Sequence, residues 1–214
     1  MRTPESPICV LCGLRPATTR DHVPPKGIFK GLGVPLITVP ACNECNNGAS
    51  QDDEDMRVFI SMQVGKQTPG SAKLWDLGAR KSLQRRGSLQ RQVVSTARDV
   101  PIQDASGAVV NRLAIEVPAS VYEAVFGRTT RGLYFFHTGR ILDPKARTQA
   151  RPLLSSPEAE YFVGFGRNEV GGVACRYWYQ VAEDDPNASL WLYCFYDLHW
   201  IHVNTGAACD EPDA

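Results

Sequence analysis

The sequence predicts an α+β chain. A small cysteine-built module comes first, and a mixed α+β domain with a largely antiparallel sheet follows it. Three observations predict this. Two Cys-x2-Cys pairs, Cys9/Cys12 and Cys42/Cys45, bracket 29 residues near the N-terminus. Met56, Phe59 and Ile60, with Val64 beyond them, fall at helical spacing after the second pair. The last third alternates apolar and aromatic residues with polar ones between turn signals, the pattern of half-buried strands.

The elements follow in order. Residues 1–8 are a polar lead, and Cys9–Gly13 form a knuckle whose short loop lets two sulfurs face one ion. Residues 16–30 read as loop, because Pro24-Pro25 forbids a helix there. Residues 36–41 (LITVPA) read as a short strand, and a helix is expected from Asn43 onward. Asp52 to Asp55 suit the positive end of its dipole, and Gly65, Pro69 and Gly70 end it. A second helical stretch is expected over 71–86, then strands over 89–96 and 109–117 with a turn at 104–107. A short helix should begin near Val121, and residues 132–137 suit either its continuation or a strand. Strands are expected over 161–166, 174–182, 190–196 and 199–203. The resulting organisation is a cysteine module over 1–66, a basic helical connector over 67–98, an α+β accessory domain over 99–204 and an acidic tail over 205–214.

With 214 residues, 43% apolar and 21% charged, the chain has enough apolar material for a core and is not of disordered composition. No apolar run approaches the roughly 18 residues of a membrane-spanning helix. The N-terminus, MRTPESPICVLCG, has no apolar signal-peptide core. A reducing, cytoplasmic setting is therefore expected, and there paired CxxC motifs hold metal more often than they form disulfides. Four thiolates in two such pairs suit one tetrahedral Zn2+. A strand leading into Cys42 at a helix start resembles a treble-clef arrangement, in which the zinc supplies folding free energy to a segment too short for its own core. No thioredoxin-like context supports a redox role.

Between the pairs lies Asp21-His22, and Asn46 follows the last cysteine directly. The motifs CVLC, RDHVPPK and CNECN, with LITVPA leading into the last, resemble the HNH, or His-Me finger, endonucleases with their ββα-metal fold. The pattern is similar to the phage endonuclease VII type and to bacterial HNH proteins with a DHVPPK signature. The resemblance covers roughly residues 9–60. It implies a metal-dependent DNA endonuclease, with His22 as the general base that deprotonates a water. Asp21 and the amide oxygen of Asn46 would hold a catalytic Mg2+ or Mn2+, apart from the structural zinc on Cys9, Cys12, Cys42 and Cys45. It also implies a role in phage defence or mobile-element biology. Many members carry an Asn shortly before the second CxxC that positions the His-bearing loop. Ile37 stands there, which leaves the rigidity of that loop open.

The residue types suit that chemistry. A neutral imidazole can take a proton from water near pH 7. A hard cation with a few oxygen ligands can neutralise a phosphate and a leaving oxygen. Asp21 and His22 are neighbours, so an extended backbone would point them to opposite faces, and a bend is required if both address one phosphate. Asn47 competes with Asn46 for the ligand role. Asp52 to Asp55 read as helix N-terminal acids, with Glu54 the best candidate among them for a supporting group.

Charge is unevenly spread. Residues 66–98 hold eight Lys or Arg against one acid, and residues 177–214 hold seven acids and no Lys or Arg. Taken alone, the basic run reads as a solvated helix face. Beside a nuclease site, Lys26, Lys81, Arg85 and Arg86 become candidates for contact with the DNA backbone. His137, His199 and His202 read as structural or partly exposed, and Cys175 and Cys194 as small core residues. The aromatic-rich second half reads as a packed core, able to serve target selection, inhibition or homodimerisation. No membrane partner is expected. The alternative to a nuclease is a non-catalytic zinc treble-clef module that binds nucleic acid or protein.

Overall fold

The computed structural model describes residues 5–62, 67–103, 106–153, 156–157 and 159–207. Lys66, Val64, Cys209 and most of the acidic tail lie outside them. The architecture is mixed α+β, as the sequence predicts.

The N-terminal module is built from β1 (Thr19–His22), β2 (Thr38–Ala41) and α1 (Asn43–Gly48). The two strands pair antiparallel, with Asp21 opposite Val39 and His22 opposite Thr38. A 3-10 turn, Lys26–Phe29, lies between them and buries Ile28 and Phe29. α2 (Ser50–Ser61) follows α1 after a break at Ala49 and buries Met56, Phe59 and Ile60, the stripe read from the sequence.

Residues 67–103 contain α3 (Pro69–Leu74), a π-helical turn (Trp75–Ala79), α4 (Arg80–Arg85), α5 (Gly87–Thr96) and β3 (Arg98–Gln103), and β3 pairs with β4 (Val109–Ala114). The strand expected over 89–96 is thus a helix. Its β-branched residues suggested a strand, but Leu89 and Val93 are four apart and turn one side of a helix to the core. β3 was not foreseen, because Pro101 interrupts a mostly exposed run.

α6 (Ala119–Thr138) settles the ambiguity over 132–137 in favour of helix. Five strands complete the fold: β5 (Arg147–Leu153), β6 (Gly166–Val170), β7 (Cys175–Val181), β8 (Ser189–Phe195) and β9 (His199–Gly206). They form one antiparallel sheet in the order β5-β9-β8-β7-β6. β5 escaped the sequence reading because Ala150 is its one buried residue. The strand expected over 161–166 begins only at Gly166. Phe165 instead closes a turn onto Phe162, whose ring packs on Trp178 at 5.8 Å.

α6 is apolar on more than one side because it has two neighbours. Phe126 meets Tyr193 and Phe195, both at 5.7 Å between ring centres, and Thr130 bonds the Tyr193 hydroxyl at 2.8 Å. On another side α6 packs on α2 and β2. One continuous core therefore runs from Cys9 to Val203. Cys175 and Cys194 are buried in this half, as expected. His137 stacks on Tyr179 and bonds the Tyr177 hydroxyl at 2.9 Å, while His199 stacks on Tyr122 and bonds its hydroxyl at 3.1 Å.

Candidate functional site

The four cysteine sulfurs lie within 4.8 Å of one another. Sulfurs at about 2.3 Å from a shared zinc would stand roughly 3.8 Å apart, so the cluster can hold one such ion. Local backbone explains the convergence. Gly13 donates its N–H to the Cys9 carbonyl at 2.8 Å, closing the first knuckle. Gly13 has φ 68°, and a Cβ there would come within 2.8 Å of Pro144, so a side chain is excluded twice over. Cys42 caps α1, and its sulfur accepts the Cys45 N–H at 3.4 Å. Val10 donates to the Pro40 carbonyl at 3.1 Å and joins the two knuckles.

Arg15 donates to the sulfurs of Cys42 at 3.2 Å and Cys45 at 3.5 Å, which offsets the charge of clustered thiolates. Those thiols respond unevenly. Burial pushes the Cys9 and Cys45 thiols up. Burial acts the same way on Cys12, but the Leu14 and Arg15 amides outweigh it and bring that thiol to about 7.

Next to the cluster opens a cleft of about 490 Å³. Its walls include Asp21, His22, Lys26, Asn46, Asn47, Asp53 and Glu54, with Arg20 and Arg57. Asp21, His22 and Asn46 thus converge on one cavity. Asp21 and His22 both reach it because β1 ends at His22, and the Asp21 Oδ1 accepts the His22 N–H at 2.7 Å. Asn46 donates its amide nitrogen to Thr19 Oγ1 and to the Arg20 carbonyl, both at 3.2 Å. The carbonyl can only accept, so these contacts fix the amide orientation and leave the Asn46 oxygen for the cleft. Asn47 also lines the cleft, and its amide nitrogen donates to Asn43 Oδ1 at 2.7 Å, so hydrogen bonding does not separate it from Asn46 as an oxygen donor.

Asp21 is 7% exposed. Burial pushes its carboxyl up, and the opposing pull of the Arg128 guanidinium and the His22 amide only partly offsets this. The His22 imidazole is pulled down, first by burial and then by the nearby Lys26 charge, which favours its neutral form. A neutral ring facing a cleft can accept a proton.

The loop after His22 is held without an Asn at position 37. Val23 donates its N–H to the Ile37 carbonyl at 3.0 Å, so the main chain of Ile37 braces the loop. Val23 is buried against α6, where a Cβ on Gly132 would lie 2.6 Å from it. Tyr196, beyond β8, donates its hydroxyl to the Ile28 carbonyl at 2.5 Å.

The other candidates fall in different places. Glu54 lines the cleft, accepts from Arg57 at 3.1 Å and is bonded by Ser82 of α4. Lys26, Lys81 and Arg85 are exposed. Arg86 is ion-paired with buried Asp55. The sequence reading missed Arg128, whose guanidinium bonds Asp21 at 2.9 Å and also pairs with Asp53. No local signal marks it, since it lies 107 residues from its partner Asp21.

The fold and site together define an α+β protein with a four-cysteine ββα module opening onto a polar, histidine-bearing cleft. No known family, curated protein or solved structure matches the chain. Among the described residues no helix is long and apolar enough to cross a membrane.

Proposed function

We propose that this chain is a metal-dependent endonuclease that hydrolyses DNA phosphodiester bonds. The observation that carries the reading is the convergence of Asp21, His22 and Asn46 on one cleft. His22 takes a proton from a water as the water oxygen bonds to phosphorus. The bond to the 3' oxygen breaks, and that oxygen takes a proton from solvent. Asp21 and the Asn46 amide oxygen are hard donors suited to Mg2+ or Mn2+, and the cation supplies charge neutralisation at the phosphate when bound. Arg20 and Lys26 on the same walls suit the phosphate charge, while Arg57 is engaged with Glu54 and Ser82. The four cysteines hold a structural zinc that fixes the hairpin and α1.

One observation favours the alternative of a non-catalytic binding module: both Asp21 oxygens already have protein partners. A carboxylate oxygen has a second lone pair, so these contacts leave room for a cation. Plasmid nicking with Mg2+ or Mn2+, with wild type beside His22→Ala, decides between them. Nicking by wild type alone is expected. Equal nicking by both removes His22 as the base, and nicking by neither favours the binding module.

A further inference from the structure

Arg128 reaches the candidate site from α6, outside the ββα hairpin. One guanidinium nitrogen donates to Asp21 Oδ2 at 2.9 Å and to the Cys45 carbonyl at 3.4 Å, and another pairs with Asp53. The contact is well shielded, with the Arg128 and Asp21 side chains each 10% exposed. Arg128 lines a neighbouring cleft of about 440 Å³ together with Glu123 and Arg131, and it is absent from the lining of the His22 cleft. Asp21 and Asp53 line the His22 cleft. The guanidinium therefore approaches both carboxylates from behind and leaves their other edges toward His22 and Asn46.

Two shielded carboxylates side by side repel each other, and a forked cation holds both in plane. The His22 amide fixes Asp21 from its other oxygen. Within this trio two carboxylates meet one guanidinium, so one negative charge is left over on the cleft side, where Lys26 also acts on Asp21.

We propose that Arg128 is a positioning residue that presents Asp21 and Asp53 to the cleft together, so that Asp53 joins Asp21 and Asn46 as an oxygen ligand for the divalent cation. This rests on the nuclease reading above. Loss of a partner that orients a metal ligand costs about 10- to 100-fold in metal affinity.

The test uses the full zinc-loaded chain, with Mn2+ binding read by electron paramagnetic resonance beside plasmid nicking. Arg128→Ala and Asp53→Asn should each weaken Mn2+ binding by about tenfold or more. Nicking should fall most at limiting Mn2+ and recover partly at saturation, a split that a general loss of structure would not give. Guanidinium ion at low millimolar concentration should restore Mn2+ binding to Arg128→Ala and not to Asp53→Asn. If Arg128→Ala does not fold, Asp53→Asn decides alone, because it keeps the contact between Arg128 and Asp21. Unchanged or tighter Mn2+ binding by the variants, with an active wild type, overturns the inference and leaves the nuclease reading standing. A wild type that neither binds Mn2+ nor nicks DNA overturns the nuclease reading and this inference with it.

Discussion

At the scale of single residues, the proposed nuclease reading divides the cleft into groups that would do chemistry and groups that would hold them, and it places His22 in the first. Replacing it with Ala should lower nicking by about 10²- to 10⁴-fold, the usual worth of a positioned general base. Mn2+ binding should be unchanged, because the ring is not among the expected oxygen donors. Electron paramagnetic resonance and nicking on the same sample check both halves of this expectation. The four cysteines were legible from their paired spacing, and the structure clusters them; Asp21, His22 and Asn46 were singled out by resemblance, and they line one cleft. Arg128 and Asp53 were not legible. Asp53 sits in a run of acids where helix N-terminal solvation explains any one of them. Arg128 is one arginine in a long helix, and only the packing of α6 against α2 aims it at Asp21. Arg86 shows the reverse case: it read as a DNA contact, and its side chain is engaged with Asp55.

At the scale of elements, the hairpin and α1 depend on the cysteine cluster from one side and on α6 from the other. Cys42→Ala removes both a candidate zinc ligand and the cap of α1. Zinc content should fall below one per chain, and the N-terminal module should lose protease resistance. Gly132→Val tests the other side, since Val23 leaves no space for a side chain there. Overpacking of this kind costs about 1–3 kcal/mol. The melting temperature should fall, and nicking should fall further than stability alone explains, because the His22 loop is what moves. The sheet order was not legible either. Strands were visible from alternation in β7, β8 and β9, whereas β5 and β3 are too polar to show a period. α5 went the other way, because two adjacent valines imitate a strand, whereas the helix turns Leu89 and the partly buried Val93 to the core.

At the scale of the whole molecule, the zero net charge conceals a basic connector and an acidic C-terminal part. DNA affinity should fall steeply with salt, and Lys81→Ala and Arg85→Ala should each flatten the log–log slope by about 0.9 if each meets one phosphate. Arg86→Ala should instead lower the melting temperature, since it strands Asp55. Filter binding across salt concentrations and a melt separate the two.

Acid should weaken the C-terminal half. Burial lowers both His137 and His199 to about 4. Unfolded histidines titrate near 6.5, so between about 6.5 and 4 the unfolded chain binds more protons. This stability is fully present above about 6.5 and is lost as pH falls toward 4. A loss of about 2 kcal/mol from each histidine, about 4 kcal/mol for the pair, is expected between pH 7 and pH 5 in urea unfolding.

The hydroxyl of Tyr196 on the Ile28 carbonyl spans 168 residues of chain. Synthesis runs from the N-terminus, so the order of arrival matters. The cysteines, Asp21, His22 and Asn46 leave the ribosome well before Arg128, Gly132 and Tyr196. A chain that has reached only the cysteine module holds Asp21, His22 and Asn46 and lacks the contacts that α6 and Tyr196 make to it. On the proposed nuclease reading, cutting would have to wait for those contacts.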